Sequence, residues 1–336
     1  MPAPTLEDVA RRARVSTATV SRSLNMPDRV KEDTRLRVQA AVAELGYTPN
    51  FGGQALASRR TNTIGAVIPT MDNAIFAQAV QTLEQTLASE GVTLLIATSQ
   101  YSREREDAQV RALLGRGVDG LVLIGAERDP AIYDLLKMRE LPYIVLWVSP
   151  RGEPHVTIGF NNRAAVRMVV ERVHEAGHER LVMLAGRTEG NDRATERVDG
   201  ARAACADLGL PELKVVETEY TLEAAERETR AIMSAERPPT AIICGNDVLA
   251  AGALFAARSM GLEIPRDLSV VGFDDIELAR VMAPPLTTVR VPHRRMGRSA
   301  GEQILGWIRG GRQPDNIVFD AVWVERASLG PPRAEG

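Results

Sequence analysis

Short apolar runs separated by longer amphipathic segments dominate the chain from Thr63 onward, and they constrain its fold more than any other feature. IGAVIP, VTLLIAT, GLVLIG and PYIVLWV read as strands buried on both faces, as parallel strands are. Helical periodicity fills the gaps near 74–90, 103–115 and 130–140. A second series follows, with a helix over 162–177 and then RLVMLAG, KVVE, TAIICG and SVVGFD as strands with helices between them. This alternation predicts an α/β core of two doubly wound parallel-sheet lobes. A ligand site is expected where the strands end at their carboxyl side.

The first 60 residues read differently. Residues 5–24, TLEDVARRARVSTATVSRSL, carry the pattern of two short helices joined by a tight turn. Thr5 caps the first and Asp8 completes a T-x-x-D box. Leu6, Val9, Ala10 and Ala13 then share one face. Ser16 caps the second helix, whose apolar members are Val20 and Leu24. Its outer face, Thr17, Ala18, Ser21 and Arg22, is small and polar, as a helix entering a DNA major groove requires. A third amphipathic helix over 33–45 offers Leu36, Val38, Ala41, Val42 and Leu45 to cover the pair, and Gly46 stops it. Charge divides along the same line. Residues 1–60 hold ten Lys and Arg against six Asp and Glu, and the remainder holds 31 against 38. A basic head on an acidic body suits a nucleic-acid-binding module on a globular core.

Other chemistries find little support. No apolar run approaches the ~20 residues of a membrane span, and MPAPTLEDVA lacks the regions of a signal peptide. Only Cys205 and Cys244 are present, which fits a reducing cytoplasm rather than a disulfide framework. His174-Glu175-Ala176-Gly177-His178 matches the H-E-x-x-H zinc pattern, but Gly177 should end the helix and leave His178 beyond it. None of Lys31, Lys137 and Lys214 follows a glycine, so no phosphate-binding P-loop is present. Neither a catalytic constellation nor a metal or cofactor is implied.

VSTATVSRSLN, then AELGYTPN, then a Q-x-L hinge, then IGAVIP together resemble the lactose/galactose-repressor family of bacterial transcription regulators. The resemblance runs the length of the chain. It implies a helix-turn-helix DNA-binding domain (1–46), a hinge (47–60), and a core similar to periplasmic sugar-binding proteins. The first lobe would comprise 61–161 and 292–320, and the second 162–291 and 321–336, with crossings near Asn161, Val291 and Asp320. It also implies a homodimer on a pseudopalindromic operator, controlled by a sugar, sugar acid or related metabolite. The tail SLGPPRAEG cannot form the heptad helix that makes some relatives tetramers.

By the same resemblance, Thr17 and Ala18 vary with operator sequence. Both are short, so base discrimination falls on Arg22. Thr5, Ser16, Thr19, Ser21, Asn25, Tyr47 and Asn50 are assigned to DNA contact, chiefly phosphate positioning. Lys31 replaces the usual cap of the third helix and can reach phosphate, and Arg14 takes the turn position where Gly is common. Leu56 is the residue that would wedge into the minor groove, with Arg59 and Arg60 adding phosphate attraction. For the effector, Arg197, Asn246 and Asp274 match the family's ligand-gripping groups, and Phe76, Trp147 and Tyr220 its apolar or aromatic platform. Ser149 stands where some members carry an acid, Asn161-Asn162 replaces Asp-Asn, and His293 occupies an effector-facing position. One acid fewer and a His gained beside Arg197 predict tolerance of an anionic ligand.

Overall fold

The computed structural model describes residues 4–48, 60–152 and 154–333. Two compact units, 1–61 and 62–336, are treated separately.

In the head, α1 (Leu6–Ala13) opens on a complete capping box. The Thr5 N–H donates to Asp8 at 2.9 Å and the Asp8 N–H to Thr5 Oγ1 at 3.3 Å. Arg14 ends α1 in the left-handed region at φ 55°, which sets the turn without a glycine. Ser16 Oγ accepts from the Thr19 N–H and starts α2 (Thr17–Asn25). A 3-10 turn (Pro27–Arg29) then leads to α3 (Glu32–Leu45), where Lys31 provides no side-chain cap and Gly46 closes the helix at φ 61°. Val9, Ala10, Ala13, Val20, Val38 and Ala41 form the core, with Tyr47 buried beside them. Leu36, expected to help cover the first two helices, is instead exposed. Val42 and Leu45 supply that cover from the same helix. Arg12 on α1 and Glu44 on α3 form an ion pair across the bundle.

The body holds two parallel sheets. The first runs β2 (Thr93–Thr98), β1 (Thr63–Ile68), β3 (Gly120–Ile124), β4 (Tyr143–Leu146), β5 (Val156–Gly159) and β11 (Ile317–Val318). Helices α4 (Ala74–Ala88), α5 (Arg103–Gly115), α6 (Pro130–Met138) and α11 (His293–Gly310) belong to this lobe. The second sheet runs β7 (Lys214–Thr218), β6 (Leu181–Gly186), β8 (Ala241–Cys244) and β9 (Ser269–Val271). Helices α7 (Asn162–Glu175), α8 (Asp192–Asp207), α9 (Leu222–Met233) and α10 (Asp247–Ser259) accompany it. An antiparallel pair, β10 (Thr288–Arg290) and β12 (Val322–Val324), extends this side, with β10 bridged to the chain around β9.

Burial on both faces, expected of the first four strands, holds for β1, β3 and β4 but not for β2, and in the second sheet β6 and β8 are buried while β7 is only partly so. Strands β2 and β7 are edge strands, so the helices cannot cover them fully. Strands β5, β10, β11 and β12 span four residues or fewer and carry no sequence period long enough to read. Helix α11 lies directly on α4. A Cβ at Gly297 would sit 2.1 Å from the Ala79 carbonyl, so the approach requires glycine. That contact, with Thr82 Oγ1 donating to the Arg294 carbonyl at 3.0 Å, fixes the start of α11 and hence His293. Among the described residues no helix is long and apolar enough to cross a membrane.

Candidate functional site

The carboxyl ends of the two sheets face one another across a cleft. From the first lobe come Phe76 on α4, Tyr101 after β2 and Trp147 after β4. From the second come Asn191, Arg193 and Arg197 around the start of α8, Tyr220 after β7, Asn246 before α10 and Asp274 after β9. They enclose a cavity of about 20 Å³, room for roughly one water-sized group. Tyr101 and Tyr220 meet across the cleft with ring centroids 5.8 Å apart. Tyr220 reaches this position because residue 186 is glycine, where a Cβ would lie 2.0 Å from the Tyr220 ring.

Arg197 is buried, with its guanidinium 4.6 Å above the Phe273 ring. Its Nη1 donates to the Gly245 carbonyl at 2.8 Å and its Nε to the Arg193 carbonyl at 3.2 Å. Asp274 is buried nearby in a left-handed conformation at φ 113°. Burial raises its carboxyl well above the usual range, against the pull of Arg197 and with a further push from Asp247. Asn246 caps α10 through the Leu249 N–H at 2.9 Å and also lines the cavity. The next residue, Asp247, accepts from Thr288 Oγ1 at 2.6 Å and from the Ile276 N–H at 2.8 Å. Burial pushes its carboxyl up to about 7. It ties α10, the loop after β9 and β10 together behind the ligand-facing groups.

Trp147 is held at φ 65° by two backbone bonds, its N–H donating to the Ile158 carbonyl and its carbonyl accepting from Asn162. Phe76 packs edge-on against it at 5.2 Å and His293 stacks on it at 5.8 Å. His293 is buried, which lowers its pKa to about 4, so the ring is neutral at pH 7.

Ser149 and Asn161 do not join this cavity. They line a separate, outer groove of about 870 Å³ with Glu127, Arg151 and Glu196. Trp147 turns the chain by its positive φ, and Ser149 therefore leaves the cleft floor two residues later. Asn161 spends its side chain on capping α7 through the Ala164 N–H. The inner and outer spaces are divided by Asp192, whose Oδ2 accepts from the Ala126 N–H at 2.6 Å and the Glu127 N–H at 3.3 Å of the facing lobe. Sequence reasoning missed Tyr101, Asn191, Asp192 and Arg193. The N-D-R run before α8 was the available signal, since an Asn cap followed by Asp aims polar groups off a helix start.

On the head, Thr17, Ala18 and Arg22 are exposed along α2, while Thr19 and Ser21 are half-buried. Thr5 and Ser16 are engaged as helix caps, and Lys31 is exposed before α3. The Tyr47 ring packs into the head's core. Asn50, Leu56 and Arg59 lie outside the described residues, and nothing is stated of the Asn25 side chain. In the body, His178 falls beyond α7, after Gly177 at φ +100°, and bonds Thr240 and the Gly330 carbonyl. It therefore cannot share a helix face with His174 as a zinc pair would.

The family model for "Bacterial regulatory proteins, lacI family" matches residues 5–50, and that for "Periplasmic binding protein-like domain" matches 170–329. The chain is 33% identical over 312 residues to the HTH-type transcriptional repressor CytR of Escherichia coli K12, covering 92% of this chain and 91% of that one. It is 31% identical over 335 residues to the repressor PurR of Erwinia tasmaniensis, covering 98% of each. Among solved structures, a Lac repressor dimer bound to operator and the anti-inducer ONPF matches with a TM-score of 0.87 and 28% identity, over 97% of this chain and 99% of that one. The regulator CelR in complex with cellobiose matches at 0.71 and 29%, with the same coverage. Head, lobes and cleft thus recur together in proteins matched over nearly their whole length, and the chain belongs to the lacI family of bacterial regulatory proteins.

Proposed function

We propose that the protein is a ligand-responsive transcriptional repressor that binds a pseudopalindromic operator as a homodimer. It would control a carbohydrate catabolic operon rather than catalyse a reaction. The observation that carries this reading is the small, exposed face of α2, with Arg22 as the one long side chain among Thr17 and Ala18. Short neighbours let a guanidinium reach a guanine edge. Exposed Leu222 and Phe255 on the second lobe, and Met71 and Ile96 on the first, give apolar surface that a second copy could cover. Lys31, Asn50 and Leu56 keep their assigned DNA roles as part of this proposal.

For the effector, Arg197, Asn246 and Asp274 offer donors and acceptors beside aromatic faces, the composition that suits a hydroxylated ring. The cellobiose held by the related CelR supports that class. The sugar-acid refinement loses its basis, because Ser149 lies in the outer groove and His293 is buried and neutral. The test is fluorescence anisotropy with duplexes enriched from a random pool, repeated across a salt series and a carbohydrate panel. A repressor shows a steep fall of affinity with salt and a shift with one panel member. Arg22→Ala should lose about 1–3 kcal/mol of base discrimination. A salt-independent or absent DNA interaction would instead favour a sugar-binding protein using the same cleft.

A further inference from the structure

The turn that leaves β3 is held from two sides. Its Ala126 and Glu127 N–H groups donate to Asp192 Oδ2 of the second lobe at 2.6 and 3.3 Å. The carbonyls of those same two peptide groups belong to Gly125 and Ala126. A trans peptide is planar, with its carbonyl and its N–H pointing in opposite directions. Any group that fixes these two carbonyls therefore also aims the two N–H groups.

Arg128 and Tyr133 are the groups that fix them. Arg128 Nη2 donates to the Gly125 carbonyl at 2.8 Å, and its Nη1 donates to Tyr133 Oη at 2.6 Å. Arginine can only donate, so the Tyr133 hydroxyl accepts that bond and directs its one hydrogen to the Ala126 carbonyl at 2.9 Å. Both side chains are anchored. The Arg128 side chain is 2% exposed, pairs with Glu106 of α5 at 3.1 Å and lies 5.1 Å from the Tyr133 ring centroid. Tyr133, on α6, stacks on His155 with centroids 3.8 Å apart.

Charge alternates along this chain of bonds. Glu106 faces Arg128, Arg128 holds the peptide group between Gly125 and Ala126, and that group donates to Asp192, whose other oxygen accepts from Arg193. A guanidinium on a carbonyl polarises the peptide and makes its N–H a stronger donor, since hydrogen bonds in series strengthen one another. Neither Arg128 nor Tyr133 is among the described residues lining the inner cavity or the outer groove.

We propose that Arg128 and Tyr133 are positioning residues for closure of the two lobes. They preset the turn so that both N–H groups meet Asp192, and they tune the ligand response without touching the ligand. Arg128 acts on the Ala126 N–H and Tyr133 on the Glu127 N–H. The inference rests on the reading of the core as a ligand-controlled pair of lobes, but its test uses no ligand, so the two can fail separately.

Amide hydrogen exchange, followed by 15N NMR on the ligand-free, full-length protein, provides that test. The variants are Y133F, R128M, D192A and the double variant Y133F/D192A. Y133F should speed exchange at the Glu127 N–H about 3- to 10-fold and affect Ala126 less. R128M, which also releases the Tyr133 hydroxyl, should speed both by about 10-fold or more. The amides of Leu121, Val122 and Leu123 in β3 should keep their rates in Y133F, and Y133F should add nothing at Glu127 once Asp192 is gone. An unchanged Glu127 rate in Y133F overturns the proposal. So does acceleration shared equally by the β3 amides, which is what a general loss of stability produces. An effect of Y133F as large in the D192A background as in the wild type overturns it as well. Should R128M not fold, Y133F and the double variant decide.

Discussion

Asp192 is the residue whose removal should most change how the two lobes hold together. It lies at the start of α8 in the second lobe, 8% exposed, and its carboxylate accepts the Ala126 and Glu127 N–H groups of the first lobe at 2.6 and 3.3 Å. Arg193 donates to the other oxygen at 2.8 Å. Hydrogen bonds to a charged group contribute about 1.5–3 kcal/mol each, with the longer one at the low end. Asp192→Ala should therefore weaken the closed arrangement by about 3–4.5 kcal/mol, a change of about 150- to 2,000-fold in the ratio of closed to open forms. The other polar link in the outer groove, Arg151 with Glu196, is half-exposed on its arginine side and compensates little. Small-angle scattering should show a larger radius of gyration for Asp192→Ala, and an effector that binds the closed form should lose affinity by the same factor. Asp192→Asn keeps an oxygen for the Ala126 N–H and should fall between the two. Unchanged scattering together with unchanged affinity in Asp192→Ala would refute the assignment of this carboxylate as the latch.

Three further outcomes are expected. His293 has its folded pKa lowered from 6.5 to about 4, so the unfolded chain binds the extra proton first as pH falls. Its contribution is fully present above about 6.5 and declines towards about 4, costing about 3 kcal/mol over that window. The raised Asp274 works in the opposite sense, so the measurement is the difference in urea stability between wild type and H293F across pH, and a flat difference would count against the assignment. Gly186→Ala should displace the Tyr220 ring, weaken effector binding and leave head stability unchanged, as read by calorimetry and by melting of the isolated transitions. Arg14→Gly relieves the left-handed turn at φ 55° and should stabilise the head by about 0.5–1 kcal/mol. A loss of stability would show that the Arg14 side chain contributes more than its backbone costs.

The head was legible almost residue by residue because its signals are local. The Thr5–Asp8 box, the Ser16 cap and the Gly46 stop each lie within three residues of the helix end that they define. The exposed Leu36 was not legible, since α3 offers more apolar positions than a bundle of this size can bury. In the body the long central strands announced themselves as apolar runs. Edge strands β2 and β7 carry similar runs but different burial, because position within a sheet is set by long-range pairing that no local window contains.

The cleft was legible only where chemistry and position coincide, and the backbone explains why. Gln100 and Tyr101 after β2, Trp147 after β4, and Asp274 and Asp275 after β9 all have positive φ. Gln100, Tyr101 and Trp147 are of types that rarely adopt positive φ, so nothing in their identity announces a left-handed turn, whereas Asp274 and Asp275 are of a type enriched there. Such conformations cost of order 1–3 kcal/mol each and persist only where the surroundings enforce them. Here the enforcement is visible. Trp147 is tied at both its N–H and its carbonyl, Asp274 donates its N–H to the Val289 carbonyl, and Asp275 is clamped by Arg290 and Arg326. Burial pulls the Asp275 carboxyl upward, but the two guanidiniums outweigh it and hold the group below its ordinary value. The left-handed turn at Trp147 also separates two neighbours in sequence. Trp147 stays on the cavity floor while Ser149 passes into the outer groove, so the position assigned by resemblance lies apart from the inner cavity. Three cavity-lining residues, Tyr101, Trp147 and Asp274, thus sit on turns that a relaxed chain would avoid. The strain is concentrated where side chains from separate strands must converge, and that concentration marks the cleft independently of any residue's identity.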